Sequence, residues 1–190
     1  MIQAVVFDCF GVLAYDGWLA YCDKYFDDKP DSLEQAIVSN RKVDAGLISY
    51  EDFVTDVAQL AGISETEARA TLERNPPNEK LFAFIQSKLK PIYKIGMLSN
   101  AGANWLPDIF EQEQIDLFDE VVLSYQLGAI KPDPIMYQTV AARLGVAPED
   151  CIFIDDQPRY VDAAVQQGMK GIRFETTTQV IKNITELTNA

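Results

Sequence analysis

Histidine is absent from these 190 residues, and that absence excludes serine–histidine–acid triads, paired-histidine zinc motifs and imidazole acid–base catalysis together. Chemistry has to run on carboxylates, hydroxyls, lysine, thiols or a bound metal. Cysteine is scarce: Cys9, Cys22 and Cys151 are odd in number, and no two stand in C-x-x-C spacing. Neither a disulfide framework nor a zinc site is indicated, and a reduced, cytoplasmic setting is expected. No window approaches the roughly 20 apolar residues of a membrane span, and no basic stretch leads into an apolar one at the N-terminus. A membrane anchor and a secretory signal are therefore not expected, and Asn183-Ile184-Thr185 reads as an accidental glycosylation match. Basic residues are also few. With 16 Lys+Arg against 29 Asp+Glu, net −13, the long-range field repels phosphates, which argues against nucleic acid or an anionic membrane as partner.

What is present is an ordinary globular composition, 48% hydrophobic, long enough for one domain with a small insertion. The chain opens on Gln3-Ala4-Val5-Val6-Phe7, a short β-branched and aromatic run, followed by Asp8-Cys9-Phe10-Gly11-Val12-Leu13. The run reads as a buried strand with an acid at its C-terminal end. From there to Asn75 no strand-like run occurs and apolar residues recur at helical spacing. Ser49 to Asp52 and Ser64 to Glu67 both match S-x-x-[DE], the capping-box pattern of a helix start. The tandem prolines Pro76-Pro77 close this stretch. Helical patterns then cover about 79–89, 105–112, 134–144, 161–167 and 180–187. They alternate with strand runs at 92–98, 120–123, 151–154 and 170–174. That alternation predicts an α/β fold: a Rossmann-like parallel sheet of about five strands, with residues 1–14 and 78–190 as the core domain and 15–77 as an inserted helical unit.

The residues that follow the strands carry the chemistry: Asp8 after the first, Ser99-Asn100 after the second, Asp155-Asp156 after the fourth. In an open parallel sheet these ends share one edge, where ligands bind. Lys131, in the connection after the third strand, reaches the same edge. Each has an ordinary explanation alone: a turn acid, a helix cap, a surface lysine. Together, three carboxylates repel one another unless a cation sits among them, and Mg²⁺ takes carboxylates, water and phosphate as ligands. The set therefore predicts a Mg²⁺-phosphate site. Asp8 would attack phosphorus and ligate metal, forming an aspartyl-phosphate that water hydrolyses. Asp156 would ligate directly and Asp155 directly or through water. Ser99, with Asn100 beside it, would bind the phosphoryl group, and Lys131 would neutralise charge on nucleophile and phosphate.

These residues resemble the haloacid dehalogenase superfamily of hydrolases, specifically members with a small helical cap after the first motif. The resemblance runs through Phe7 to Leu13, Ala45-Gly46-Leu47-Ile48-Ser49-Tyr50-Glu51-Asp52-Phe53, Leu98-Ser99-Asn100, Lys131-Pro132-Asp133-Pro134-Ile135-Met136-Tyr137 and Phe153-Ile154-Asp155-Asp156-Gln157-Pro158. It covers nearly the whole chain. It implies that 15–77 is the cap, that the backbone carbonyl of Phe10 also ligates metal, and that the substrate is a small phosphorylated metabolite. Nothing in the sequence bears on oligomeric state.

Two positions depart from the family's phosphatases. Where they carry an acid two residues after the nucleophile, this chain has Phe10; a positioned acid contributes roughly 10²–10⁴-fold in rate. Activated esters or acyl phosphates are thus the expected substrates, and equal turnover of unactivated esters would mean that another residue supplies the proton. Asp16 is a candidate for that, although its place suits the link into the cap. Tyr160 stands where relatives carry a small polar or acidic residue. The superfamily's dehalogenases also lack the acid, and Arg41 lies near where they carry an arginine for the substrate carboxylate; their metal-free sites, however, lack the acidic pair seen here. A metal-independent 2-haloacid dehalogenase-like hydrolase and a silent phosphate-binding or interaction module are the alternatives. Phosphonate hydrolysis through a cap lysine, Lys24, Lys29 or Lys42, is more remote.

Overall fold

The computed structural model describes residues 1–188. Its strands are β1 (Ala4–Phe7), β2 (Lys94–Ser99), β3 (Glu120–Leu123), β4 (Cys151–Asp155) and β5 (Lys170–Arg173). They form one sheet of five in the order β3-β2-β1-β4-β5, parallel throughout, with β1 at the centre. Period-two alternation divides the strand residues between two faces. Val5, Phe7, Ile95, Met97, Ile152 and Ile154 belong to one apolar cluster, and Ala4, Val6, Leu98, Cys151 and Phe153 to another. The first face is covered by α5 (Glu79–Phe84) and α11 (Thr177–Thr188), the second by α9 (Pro134–Leu144) and α10 (Pro158–Gln166). Burial on both faces is why the strands read as continuous apolar runs.

Between β1 and α5 come α1 (Gly17–Phe26), α2 (Pro30–Asp44), α3 (Tyr50–Ala61) and α4 (Glu65–Leu72). They share a third apolar cluster with Tyr21, Phe26, Phe53, Val54 and Val57 at its heart. The Tyr21 hydroxyl, buried there, donates to the Val57 carbonyl at 2.9 Å. Ser49 forms a full capping box with Asp52 at the start of α3, while Ser64 accepts from the Glu67 amide at 3.2 Å at the start of α4.

Two helical expectations change in detail. The stretch 105–112 is broken into α6 (Leu106–Ile109) and α7 (Gln112–Ile115). Pro107 is tolerated only in a first turn, and Phe110 leaves helical geometry at φ −118° to bury its ring 5.1 Å from Phe82. The helix from Glu79 continues past α5 as a π-helical turn, Ile85–Leu89. A short α8 (Ser124–Leu127) follows β3 directly. Among the described residues, no helix is long and apolar enough to cross a membrane.

Candidate active site

Sheet register builds the floor. Phe7 pairs with Ile154, so the next residues on β1 and β4, Asp8 and Asp155, emerge side by side at the C-terminal edge. The Asp8 amide extends the pairing, donating to the Ile154 carbonyl at 2.8 Å. On the other flank β2 ends at the buried Ser99. The chain turns tightly after Asp8, with the Cys9 carbonyl accepting from Leu13 at 2.8 Å and Ala14 at 2.9 Å. Gly11 in this turn has φ +84°, and a Cβ there would stand 3.0 Å from the Asp156 carboxyl carbon. Only glycine meets both conditions, so Gly11 sets how closely Asp156 approaches.

Lys131 lies at the centre of the floor, 1% exposed. Its Nζ is 2.7 Å from Asp8 Oδ1 and 2.6 Å from Asp155 Oδ2. Its backbone is held at both ends by Asn100, whose Oδ1 accepts from the Lys131 amide at 2.7 Å and whose Nδ2 donates to the Lys131 carbonyl at 3.3 Å. Asp8 Oδ1 also accepts from the Cys9 amide at 2.7 Å, and Asp155 Oδ1 accepts from the Gln157 amide at 2.8 Å. Asp156 Oδ2 accepts from Gln157 Nε2 at 2.9 Å.

One ammonium faces three carboxylates, and Asp8, Asp155 and Asp156 offer oxygens that all lie within 4.8 Å of one another. Burial and then the Asp155 charge push the Asp8 carboxyl well above its ordinary range, against the pull of Lys131. Burial works against the charge on Lys131 too, but Asp155 and Asp8 outweigh it and hold the ammonium well above the lysine range. Asp156 is raised by burial and by Asp155. Such an oxygen set suits a hard dication. Asp155 already uses both oxygens, on Lys131 and Gln157, whereas Asp8 and Asp156 each keep one oxygen that no protein group among the described residues engages. Those two fit a metal directly, and Asp155 fits the role of holding Lys131.

Above the floor opens a cavity of about 1130 Å³. Its roof comes from α1 to α4 and includes Asp16, Trp18, Arg41, Asp44, Tyr50 and Phe53. Trp18 and Phe53 rings lie 5.6 Å apart, Phe53 and Tyr50 6.0 Å, Tyr50 and Trp105 4.6 Å, so one aromatic wall runs from roof to floor. Phe10, half-buried, lines the cavity and packs on the core cluster. Asp16 is the N-cap of α1, its Oδ1 accepting from the Trp18 amide at 2.8 Å and the Leu19 amide at 3.1 Å. Arg41 is exposed at the rim. Lys24, Lys29 and Lys42 are exposed and outside the cavity lining.

The structure thus brings Asp8, Lys131, Asp155 and Asp156 into contact and sets Ser99 and Asn100 at their margin. Sequence reading overlooked Asp44. A signal existed: Asp44 ends α2, where a carboxylate meets the negative end of the helix dipole.

The model of the haloacid dehalogenase-like hydrolases matches residues 2–168. The chain belongs to this family. Among curated members, this hydrolase is 47% identical over 60 residues to the chloroplastic flavin mononucleotide hydrolase 1 of Arabidopsis thaliana, covering 32% of this chain and 24% of that one. The chain thus spans about a quarter of that relative's length. Solved structures share the fold of this haloacid dehalogenase-like hydrolase. A HAD-like family hydrolase from Porphyromonas gingivalis superposes with TM-score 0.75 at 24% identity, over 100% of this chain and 99% of the other. A HAD family enzyme from Bacteroides thetaiotaomicron, in complex with magnesium and inorganic phosphate, superposes with TM-score 0.69 at 21% identity, over 92% and 95%.

Proposed function

We propose that this hydrolase is a Mg²⁺-dependent phosphatase that acts on a small phosphorylated metabolite through an aspartyl-phosphate at Asp8. The observation that carries the reading is the floor itself: three carboxylates around one buried ammonium, an arrangement that suits a dication and a phosphate and disfavours a haloacid carboxylate bound without metal. The flavin mononucleotide hydrolase relative and the magnesium–phosphate complex of the Bacteroides enzyme support it.

In this reading Asp8 and Asp156, with the Phe10 carbonyl, hold Mg²⁺, which when bound screens the charge of phosphate and nucleophile. Lys131 holds Asp8 in place through Oδ1, and its charge stabilises the transferring group. Ser99 donates to a phosphoryl oxygen. Asn100 keeps Lys131 in place and borders the phosphate. Residues 15–77 act as a cap over the core domain of 1–14 and 78–190. The aromatic wall suits an organic part with a flat or apolar face.

The test is hydrolysis of p-nitrophenyl phosphate, whose leaving group needs no acid. Turnover is expected with Mg²⁺, loss on chelation, and a fall of roughly 10⁴–10⁶-fold in Asp8→Asn, as for loss of a nucleophile. The aromatic ring of Phe10 favours a second reading, dehalogenation; halide release from a 2-haloacid that survives chelation would establish it instead. Stabilisation by phosphate without any turnover would mark a silent binding module.

A further inference from the structure

The phosphatase reading leaves one chemical need unmet on the floor: Phe10 offers no proton to a departing alkoxide. The lining of the cavity contains few groups able to give one near neutrality. The hydroxyls of Tyr50 and Tyr160 are pushed up by burial, and the Cys22 thiol is pushed up to about 12, by burial first. Asp16 holds the first turn of α1 through Oδ1, a task for its ionised form. Asp44 is differently placed. Its Oδ2 accepts from Asn40 Nδ2 at 3.2 Å, and no protein group among the described residues donates to Oδ1.

Asp44 is also fixed relative to the phosphate end of the site. The Ser124 hydroxyl donates to the Asp44 carbonyl and accepts from the Ala101 amide at 2.8 Å. Ala101 directly follows Ser99-Asn100. Gly102 packs so closely on Val43, the residue before Asp44, that a Cβ would lie 2.5 Å from the Val43 carbonyl oxygen. The end of α2 is therefore docked on the loop after β2, and the acid it carries lines the cavity.

Resting on the phosphatase reading, we infer that Asp44 is the acid that protonates the leaving oxygen of the substrate, the role that Phe10 cannot fill. An Asp8 oxygen bonds to phosphorus as the ester P–O bond breaks, and the electron pair leaves on the ester oxygen. That oxygen takes the Asp44 proton and departs as an alcohol. Water then attacks the aspartyl-phosphate and gives one proton to Asp44; the Asp8–phosphorus bond breaks, and inorganic phosphate leaves with both residues restored. The charged groups facing Asp44 are Lys131 from the core and Asp16 from α1; Arg41 on its own helix is exposed at the rim, and Ser124 and Tyr125 of α8 are neutral. Burial pushes Asp44 up to about 7, with Lys131 opposing and Asp16 adding. At the end of α2 the helix dipole favours the protonated form as well.

The experiment compares kcat/KM on benzyl phosphate, a poor leaving group, and on p-nitrophenyl phosphate, a good one, for the full chain with Mg²⁺. In Asp44→Asn the loss on benzyl phosphate is expected to exceed the loss on p-nitrophenyl phosphate by roughly 10²-fold or more. The benzyl phosphate profile of the unaltered chain should fall above about pH 7, and that limb should vanish in the variant. Equal losses on both substrates, or a benzyl rate that does not change, would overturn the assignment while leaving the phosphatase reading intact. If the unaltered chain cleaves neither ester, the phosphatase reading fails and this inference falls with it.

Discussion

On the floor of the cavity, Asp8, Lys131 and Asp155 are 6%, 1% and 0% exposed and joined by ion pairs of 2.7 and 2.6 Å. On the roof, Asp16 and Asp44 are half-buried and hold no cation within salt-bridge distance among the described residues. The floor is placed by sheet pairing, which fixes each strand end against its neighbour. The roof is placed by helix packing and by the few contacts that dock α2 on the loop after β2. Floor charges can be packed this densely because each is tied to a neighbour or to a backbone amide; an unpaired charge there would bear the full cost of burial. Roof acids meet burial with no cation in contact to oppose it. Burial pushes Asp16 up to about 6 and Asp44 up to about 7. In the proposed mechanism, charge handling belongs to the sheet and the proton to Asp44 of α2.

The sharpest break of this division is Lys131→Ala. It strands Asp8 and Asp155 without their cation, so a loss of about 3–5 kcal/mol in stability is expected by denaturant titration. A fall of roughly 10³-fold in p-nitrophenyl phosphate turnover should accompany it. An unchanged unfolding midpoint would show that the floor tolerates unpaired charge.

Moving the acid from roof to floor is the next step down. In the Asp44→Asn background, Phe10→Asp should raise benzyl phosphate turnover by roughly 10²-fold. Absence of any rise would count against a proton-limited step, and with it against the division proposed between the two halves.

Gly11→Ala is a smaller and more local perturbation. The added methyl group meets the Asp156 carboxylate at 3.0 Å and a backbone at φ +84°. Affinity for Mg²⁺, read as the metal-induced rise in Tm, should weaken about tenfold or more. An undiminished rise would place the metal away from Asp156.

The smallest effect lies in pH-dependent stability. Asp44 has a folded pKa of about 7 against an ordinary 3.8, so its favourable contribution is complete below pH 4 and is lost as pH rises through 7. Asp44→Asn stays neutral at every pH. Its decline in stability between pH 4 and 7 should therefore be shallower than that of the unaltered chain, by about 1–3 kcal/mol. Parallel Tm curves would mean that Asp44 is ionised in the fold throughout.

Much of this was legible in the residues. The strand runs could be read because burial on both sheet faces leaves no polar alternation, and Asp8, Ser99 and Asp155-Asp156 could be placed because parallel strands end on one edge. The break in the 105–112 helix was harder to see: Pro107 suits a helix start as well as it forbids an interior, and Phe110 leaves the helix for a contact with Phe82, far away in sequence. Asp44 was harder still. Its only local sign is an acid at a helix end, and surface helices carry those without consequence.

By itself the sequence determined the family, the parallel sheet and the order of the groups along its edge, because strand pattern and strand-end position are local properties of the chain. Only the tertiary structure decided how the charges are shared: that Lys131 bridges Asp8 and Asp155, that Asn100 clamps Lys131, and that Asp44 faces the cavity. Those relations join residues from 24 to 123 positions apart, and periodicity carries no information across such a span. Which carboxylate keeps a proton depends on what surrounds it in space, and no stretch of sequence holds those neighbours together.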